Sequence, residues 1–337
     1  MKAMILAAGY GTRLGLLGQQ LPKPALPVLN TPIIEYSIQA LKKAGIYQIV
    51  INQHHLGDEL QKILGDGSAL GVEIEWSLEK EQILGTGGGV KQGLRNAGDE
   101  PIVVLNGKII FDIDLAKVIE KHRESGRIAT MVLRRDPDAS RWGSIGFDGY
   151  MDVTSILSRD SMGNSTAPGE HMFTGIQVLN RDFLSILPEG PSCLVRDGYM
   201  GHFKNGTPIG VFDTGEAYWF EHSTPERYLR GNLNLLGMGP SGPFRDVIAE
   251  KGIWHRKEDG WAFIDDSVPD ESAVRCGRFT VCGPGARITG NITTEESVVW
   301  GGCSVQTNIR SCIVTPLGIV EAGETTRDGF TGPALKK

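Results

Sequence analysis

Residues 1–14 read Met1-Lys2-Ala3-Met4-Ile5-Leu6-Ala7-Ala8-Gly9-Tyr10-Gly11-Thr12-Arg13-Leu14. The apolar run 3–6 does not alternate and stops at small residues and glycine, the pattern of a central parallel strand that ends in a loop. A secretory leader needs a longer apolar core, so this start reads as a buried strand leading into a functional loop. Leu21-Pro22-Lys23-Pro24 follows soon after. Gly9 and Gly11 let backbone N–H groups approach a phosphate, the Arg13 guanidinium can fork onto phosphate oxygens, and Lys23 adds a compact positive charge. The spacing fits neither the G-x-G-x-x-G dinucleotide fingerprint nor the G-K-[ST] of a P-loop.

Outward from this loop, strands and helices alternate. A helix is expected over 33–44, with Ile34, Ile38 and Leu41 on one face and Gly45 as its C′ residue. Strands are expected over 47–52, 72–76, 102–105 and 129–133, and helices over 60–64, 90–94 and 115–122. The fold class that follows is α/β: a Rossmann-like, mostly parallel mixed sheet with helices on both faces. Ligands of such sheets sit at the carboxyl ends of strands. Hairpin-like fragments begin near 136, and Thr224-Pro225-Glu226 announces a last helix over 224–235.

Beyond 267 the helical signal fades and a weak repeat appears. Residues 283–292 align with 300–309, seventeen positions later, with small apolar residues six apart and glycine at the corners. Such spacing suits a short C-terminal left-handed β-helix; an ordinary antiparallel sheet is the alternative. The expected division is an α/β domain at 1–240, a linker at 241–266, and the short β-helix and tail at 267–337.

Of 337 residues, 45 are glycine, and 34 basic side chains face 40 acidic ones, a net charge of −6. Average glycine usage is only about 7%. The acidic balance argues against nucleic acid as a partner, and no stretch approaches the roughly 20 apolar residues of a membrane span. Five cysteines with no C-x-x-C pair suggest reduced thiols and a cytoplasmic location.

The order of strand, G-x-G-T-R-L and L-P-K-P resembles the nucleotidyltransferase family that joins sugar 1-phosphates to NTPs, releasing pyrophosphate. Leu84-Gly85-Thr86-Gly87-Gly88-Gly89 looks like that family's second glycine loop, and Ser223-Thr224-Pro225-Glu226-Arg227-Tyr228-Leu229 is close to its G-T-P-E-R-Y-L run. The resemblance implies that Arg13 and Lys23 act on phosphates. It implies nucleotide contacts from Leu6, Ala8, Gly9, Gly11, Thr12, Glu81, Gly87, Gly88 and Asn106, and sugar-phosphate contacts from Gly143, Thr174 and Gly175. For Gly143 a plain turn role is an equal alternative.

The family holds Mg²⁺ with two aspartates. Here the first position, Asn106-Gly107-Lys108, carries lysine, and the second, Phe220-Glu221-His222, carries glutamate. An ammonium 4 Å from Mg²⁺ would repel it by about 8 kcal/mol at an effective dielectric of 20. Glu221 is thus the one carboxylate expected to remain as a metal ligand, with Asp112 and Asp114 as substitutes or merely a loop and helix cap. Lys108 is open to three readings: a phosphate ligand in place of the cation, a surrogate catalytic charge, or an engineered change. Two functions are therefore weighed. One is NDP-sugar synthesis with Mg²⁺. The other is a catalytically silent regulatory protein that binds nucleotide or NDP-sugar without a cofactor, as a homo-oligomer or paired with an active paralogue through the β-helix.

Other residues carry weaker expectations. His54-His55 reads as a loop pair, His222 as either ligand contact or filler, and Cys193 as packing. Glu79 and Lys80 are expected to be solvated.

Overall fold

The computed structural model describes residues 1–322 and the backbone of Leu335–Lys336; positions 323–334 and 337, the end of the expected β-helix and tail, lie outside the described residues. The chain forms two compact units. One comprises Met1–Tyr10, Ser37–Gly107 and Phe111–Trp219; the other comprises Gly11–Tyr36, Lys108–Ile110 and Phe220–Lys337.

The first unit is built on a nine-stranded mixed sheet. Its strands are β1 (Lys2–Leu6), β2 (Gln48–Gln53), β3 (Glu73–Leu78), β4 (Ile102–Asn106), β5 (Ala129–Arg135), β6 (Ser144–Phe147), β7 (Val153–Ile156), β8 (His171–Leu179) and β9 (Gly210–Asp213). The order is β7-β6-β8-β4-β1-β2-β3, with β5 paired to β8 and β9 to β5. The β4-β1-β2-β3 run is parallel, whereas β8 lies antiparallel to β4, β5 and β6.

Ala3, Met4 and Ile5 of β1 are inaccessible to solvent, as a parallel strand covered on both faces requires. Met4, Val50, Val104, Met131, Leu179 and Phe183 belong to one core cluster. The helices flanking these strands are α1 (Ile33–Lys43), α2 (Gly57–Leu64), α3 (Gly85–Gly93) and α4 (Leu115–Ser125). Helix α1 ends as a Schellman turn: Gly45 has φ 78°, and Gly45 N–H and Ile46 N–H donate to the Lys42 and Leu41 carbonyls at 2.9 Å each.

One difference from the sequence reading is local. Gly85–Gly89, expected as a loop, forms the first turns of α3. Glycine is a poor helix former, but a strap at 190–193 lies on this turn and leaves no room for side chains. A methyl on Gly85 would sit 2.5 Å from the Ser192 carbonyl oxygen, and one on Gly88 would collide with that of Gly190. Tertiary packing therefore decides the state of the segment.

The second unit is organised around α5 (Pro225–Met238), capped by the Thr224 hydroxyl, which accepts from Arg227 N–H. Asn232 on α5 accepts from Leu29 N–H at 3.0 Å, and the Trp300 indole donates to the Tyr228 hydroxyl at 3.0 Å. The tail coils as expected: Val281 pairs in parallel with Val298, and Arg287 and Ile288 with Ser304 and Val305, the seventeen-residue offset of the repeat. The next turn is shorter, with Val298 on Ile313 and Thr294 on Ile309. Successive parallel strands of this kind make a β-helix, and Cys282, Ile288, Val299 and Ile313 fill its interior. A hairpin of Ile253–Lys257 and Gly260–Ile264 extends the stack through Phe263 on Val281. No helix among the described residues is long and apolar enough to cross a membrane.

Candidate functional site

The residues singled out by sequence fall into one set in each unit. In the first unit Leu6 and Asn106 end the parallel strands β1 and β4, whereas Thr174 and Gly175 lie within antiparallel β8 and Gly143 precedes β6. Asn52, at the end of β2, accepts from Ala7 N–H at 2.7 Å and donates to Glu79 Oε1 at 2.7 Å; Leu84 N–H donates to Glu79 Oε2 at 2.7 Å. Glu79 is thus buried and fully used, contrary to the expectation of a solvated side chain. It fixes the turn that leads into α3. Glu81, the neighbour implied as a nucleotide contact, is exposed.

Gly87 and Gly88 lie under the strap, and Gly87 N–H donates to the Ser192 carbonyl at 2.8 Å. That amide is already engaged. Leu6 carbonyl accepts from Gly107 N–H at 2.9 Å, Ala8 is buried, and no atom lies within 4 Å of where a Gly9 side chain would begin. Gly175 has φ 80°, and any side chain there would collide with the Asn106 amide. Gly143, at φ 88°, would likewise collide with Leu157. Thr174 is buried, its hydroxyl donating to the Val132 carbonyl at 2.7 Å. The Trp219 indole donates to the Thr174 carbonyl at 3.0 Å.

In the second unit, Gly11 takes the left-handed conformation (φ 68°) ahead of the turn Thr12–Leu14. Gly18 explains itself here: a methyl at this position would meet the Gly11 carbonyl oxygen at 2.8 Å. Thr12 and Arg13 are exposed, and Lys23 is half-buried at the start of the turn Lys23–Ala25.

Lys108 and Glu221, distant in sequence, form an ion pair with Nζ 3.1 Å from Oε2. Glu221 is 2% exposed. Its Oε1 accepts from the Ser223 hydroxyl at 2.6 Å and lies 2.6 Å from Arg227 Nε as a second ion pair, while Arg227 Nε–H donates to the Glu221 main-chain carbonyl at 3.1 Å. Burial pushes the Glu221 carboxyl up, but Lys108, Ser223 and Arg227 together hold it below its ordinary value. His222 N–H donates to the Lys108 carbonyl at 3.0 Å, which anchors the lysine backbone.

The cluster is richer in cations than in anions. Lys23 is pulled down to about 8 by burial first, then by the neighbouring charges of Lys108 and Arg13, with Glu221 opposing. Such mutual repulsion marks a place where a polyanion is welcome. His222 packs inside the unit, its Nδ1 3.4 Å from the Lys108 carbonyl oxygen. Its ring is fully buried against Gly231, Nε2 has no hydrogen-bond partner among the described residues, and burial takes its pKa to about 4.

The donor set does not suit Mg²⁺, which asks for oxygen ligands in near-octahedral array. The one carboxylate, Glu221, is already matched by two cations and a hydroxyl, and the nearest neighbour is an ammonium. Asp114 serves as the N-cap of α4, accepting from Ala116 and Lys117 N–H, and Asp112 is exposed. Among the described residues no group of three or more His, Cys, Asp or Glu gathers as a metal site.

Sequence reasoning missed Glu79, Asn52, Ser223 and the pairing role of Arg227. The doublet Ser223-Thr224 was a usable signal, since a hydroxyl two positions after Glu221 can reach back to its carboxylate.

Comparison with known proteins adds the following. The family model described as nucleotidyl transferase matches residues 2–182. A UTP--glucose-1-phosphate uridylyltransferase of Synechocystis is 32% identical over 323 residues, covering 89% of this chain and 83% of that protein. A mannose-1-phosphate guanylyltransferase of Mycobacterium tuberculosis is 28% identical over 306 residues, covering 90% and 82%. An N-acetylmuramate alpha-1-phosphate uridylyltransferase of Neisseria meningitidis is 45% identical over 120 residues, 36% of this chain and 52% of that one. The fold matches a solved Bacillus anthracis structure, provisionally assigned as a glucose-1-phosphate thymidylyltransferase, in complex with a sucrose. The TM-score is 0.58 at 22% identity, covering 69% of this chain and 94% of that one.

Proposed function

Since the chain belongs to the nucleotidyl transferase family, whose relatives include sugar-1-phosphate enzymes, we propose that it binds the phosphates of a nucleotide or NDP-sugar without a divalent cation. The observation that carries this reading is the Lys108–Glu221–Arg227 arrangement, in which an ammonium and a guanidinium hold the carboxylate. Lys108 and Lys23 act as the positive charge facing a diphosphate, and Arg13, exposed on its turn, closes on phosphate oxygens as a fork. Thr12 and the Gly11 turn contribute backbone and hydroxyl donors.

Leu6, Ala8, Gly9, Glu81, Gly87, Gly88 and Asn106 are proposed for the nucleotide, and Gly143, Thr174 and Gly175 for the sugar phosphate. The protein then works in the cytoplasm as a sensor of sugar nucleotides, in a homo-oligomer or beside an active paralogue.

Turnover is the second reading, and the retained Arg13 and Lys23 favour it. A sugar phosphate oxygen would attack the α-phosphate and pyrophosphate would leave, with charge neutralised by lysines alone. A single ammonium cannot bridge two phosphates as a metal does, so this reading ranks second. A panel of NTP and sugar 1-phosphate pairs decides between them: binding by calorimetry with no pyrophosphate release is the expected result. Pyrophosphate released stoichiometrically with NDP-sugar would replace the sensor by an enzyme. Lys108→Ala should weaken binding about tenfold, the loss of one charge-assisted phosphate contact.

A further inference from the structure

We propose that Cys276 and Cys282 are a modification site: a buried dithiol that closes to an intrachain disulfide when the protein meets a hydroperoxide. The two Sγ atoms lie 3.3 Å apart, and both side chains are inaccessible to solvent. Cys276 follows the short helix Asp270–Arg275, and Cys282 ends the strand Val281–Cys282 of the first coil. A disulfide bond is about 2.0 Å long, so closure asks for an approach of about 1.3 Å, within the reach of two side-chain rotations. Cys303 Sγ lies 3.8 Å from the Gly301 carbonyl and Cys312 Sγ 3.1 Å from that of Arg310, and Cys276 Sγ also lies 3.5 Å from the Ser272 carbonyl.

The surroundings divide the two roles. Lys257 donates to the Ala273 carbonyl at 3.3 Å, which brings its ammonium to the end of the same helix. The contact with the Cys282 thiol holds Cys276 below the usual thiol range against the opposing effect of burial, and the Lys257 charge adds to this. The same contact raises Cys282. Cys276 is thus the nucleophile and Cys282 the resolving thiol.

Access comes through the helix Asp270–Arg275. It is only six residues long, and Val274 on it is 80% exposed. Short surface helices open locally at small free-energy cost.

The chemistry balances with one peroxide. Cys276 thiolate attacks a peroxide oxygen, the O–O bond breaks, and the departing oxygen takes a proton and leaves as water or alcohol. The resulting sulfenic acid is attacked by Cys282 sulfur as that thiol gives up its proton. The S–O bond breaks, hydroxide leaves as water, and the S–S bond forms. Two thiols are oxidised and one peroxide is reduced. The product staples the helix Asp270–Arg275 to the coil whose Cys282 carbonyl accepts from Asn30 Nδ2 at 3.0 Å.

The test is a peptide map of the full chain. Protein is treated with hydrogen peroxide, quenched with catalase, denatured and alkylated, then digested with trypsin. Trypsin cuts at Arg278, between the two cysteines, so the disulfide would join two peptides. The expected result is alkylation at three of the five cysteines, a 276–278 peptide linked to a 279–287 peptide, and full reversal by dithiothreitol. Five alkylated thiols would overturn the proposal, as would a disulfide joining other cysteines or Cys276 carried to sulfinic acid without a link. In Cys282→Ala the resolving thiol is gone, and Cys276 should proceed to sulfinic acid at the same dose. Should that variant fail to fold, the map of the unmodified chain alone decides.

Discussion

Two buried glutamates in this molecule are held in opposite ways. Glu79 in the first unit accepts from the Asn52 amide and from Leu84 N–H, so neutral donors satisfy it and no cation among the described residues shares the contact. Glu221 in the second unit accepts from the Ser223 hydroxyl and pairs with both Arg227 and Lys108. Both are nearly inaccessible to solvent. The first arrangement shapes backbone: it pins the turn ahead of α3 to the end of β2. The second organises charge. With Lys23 and Arg13 added to its electrostatic surroundings, the lone carboxylate is outnumbered, and the surplus is positive. A buried carboxylate is therefore not by itself a sign of a metal site; its partners decide what it does.

The contrast can be broken by substitution. The largest effect is expected from Glu221→Gln, which leaves Lys108 and Arg227 without their counter-charge. Removing one partner of a buried pair costs 3–5 kcal/mol when both groups are fully buried. Lys108 is 30% exposed and Arg227 31%, so a loss of about 3 kcal/mol is expected. A fall in the urea midpoint at unchanged slope would register it; an unchanged midpoint would mean the pair is only decorative.

Gly88→Ala should follow at about 2 kcal/mol, the ordinary size of an overpacking penalty. The added methyl has nowhere to go but into the Gly190 carbonyl. Raised amide exchange at 190–193 is the specific signature, and unchanged exchange there would show that the strap is not seated on α3.

Glu79→Gln should cost about 1.5 kcal/mol, because one acceptor is exchanged for an amide that cannot take both N–H donors. The loss should not depend on salt, whereas that of Glu221→Gln should shrink as salt rises. Equal salt dependence would erase the comparison.

The smallest effect is the titration of Lys23. Its folded-state pKa, about 8, lies below the unfolded value near 10.4. Between these values the unfolded chain binds more protons, so this group makes stability rise as pH climbs from about 8 toward 10. Affinity for a diphosphate moves the other way, because the neutral amine no longer pairs with phosphate. Calorimetry should show proton uptake on ligand binding near pH 8, and no uptake would remove Lys23 from the phosphate site.

How much of this could be read from sequence varied with the range of the interaction that decides each feature. Strand β1 was legible because an apolar run meeting glycine is a local pattern, and the seventeen-residue register because Gly283 to Ile292 repeats it in situ. Glu79 was not legible: in Glu79-Lys80-Glu81 nothing local separates the buried acid from its exposed neighbour, and Asn52 makes the choice from another strand. Gly85–Gly89 reads as a loop through its likeness to the family's second glycine loop, but it forms the first turns of α3, where the strap at 190–193 leaves no room for side chains. The lysine after Asn106-Gly107 is plain in the sequence; that it pairs with Glu221 rather than standing alone depends on the fold. His222 reads in sequence as either ligand contact or filler, and its burial against Gly231, with Nδ1 near the Lys108 carbonyl, depends on packing that the local sequence does not show.

The central claim is that cations stand where this family's chemistry places a metal, and its most direct test is the Mg²⁺ dependence of affinity. Dissociation constants for an NDP-sugar, measured in EDTA and in millimolar Mg²⁺, should agree within about twofold for the natural chain, while Lys108→Asp should become Mg²⁺-dependent by about tenfold or more. A natural chain that binds only with Mg²⁺ would contradict the account.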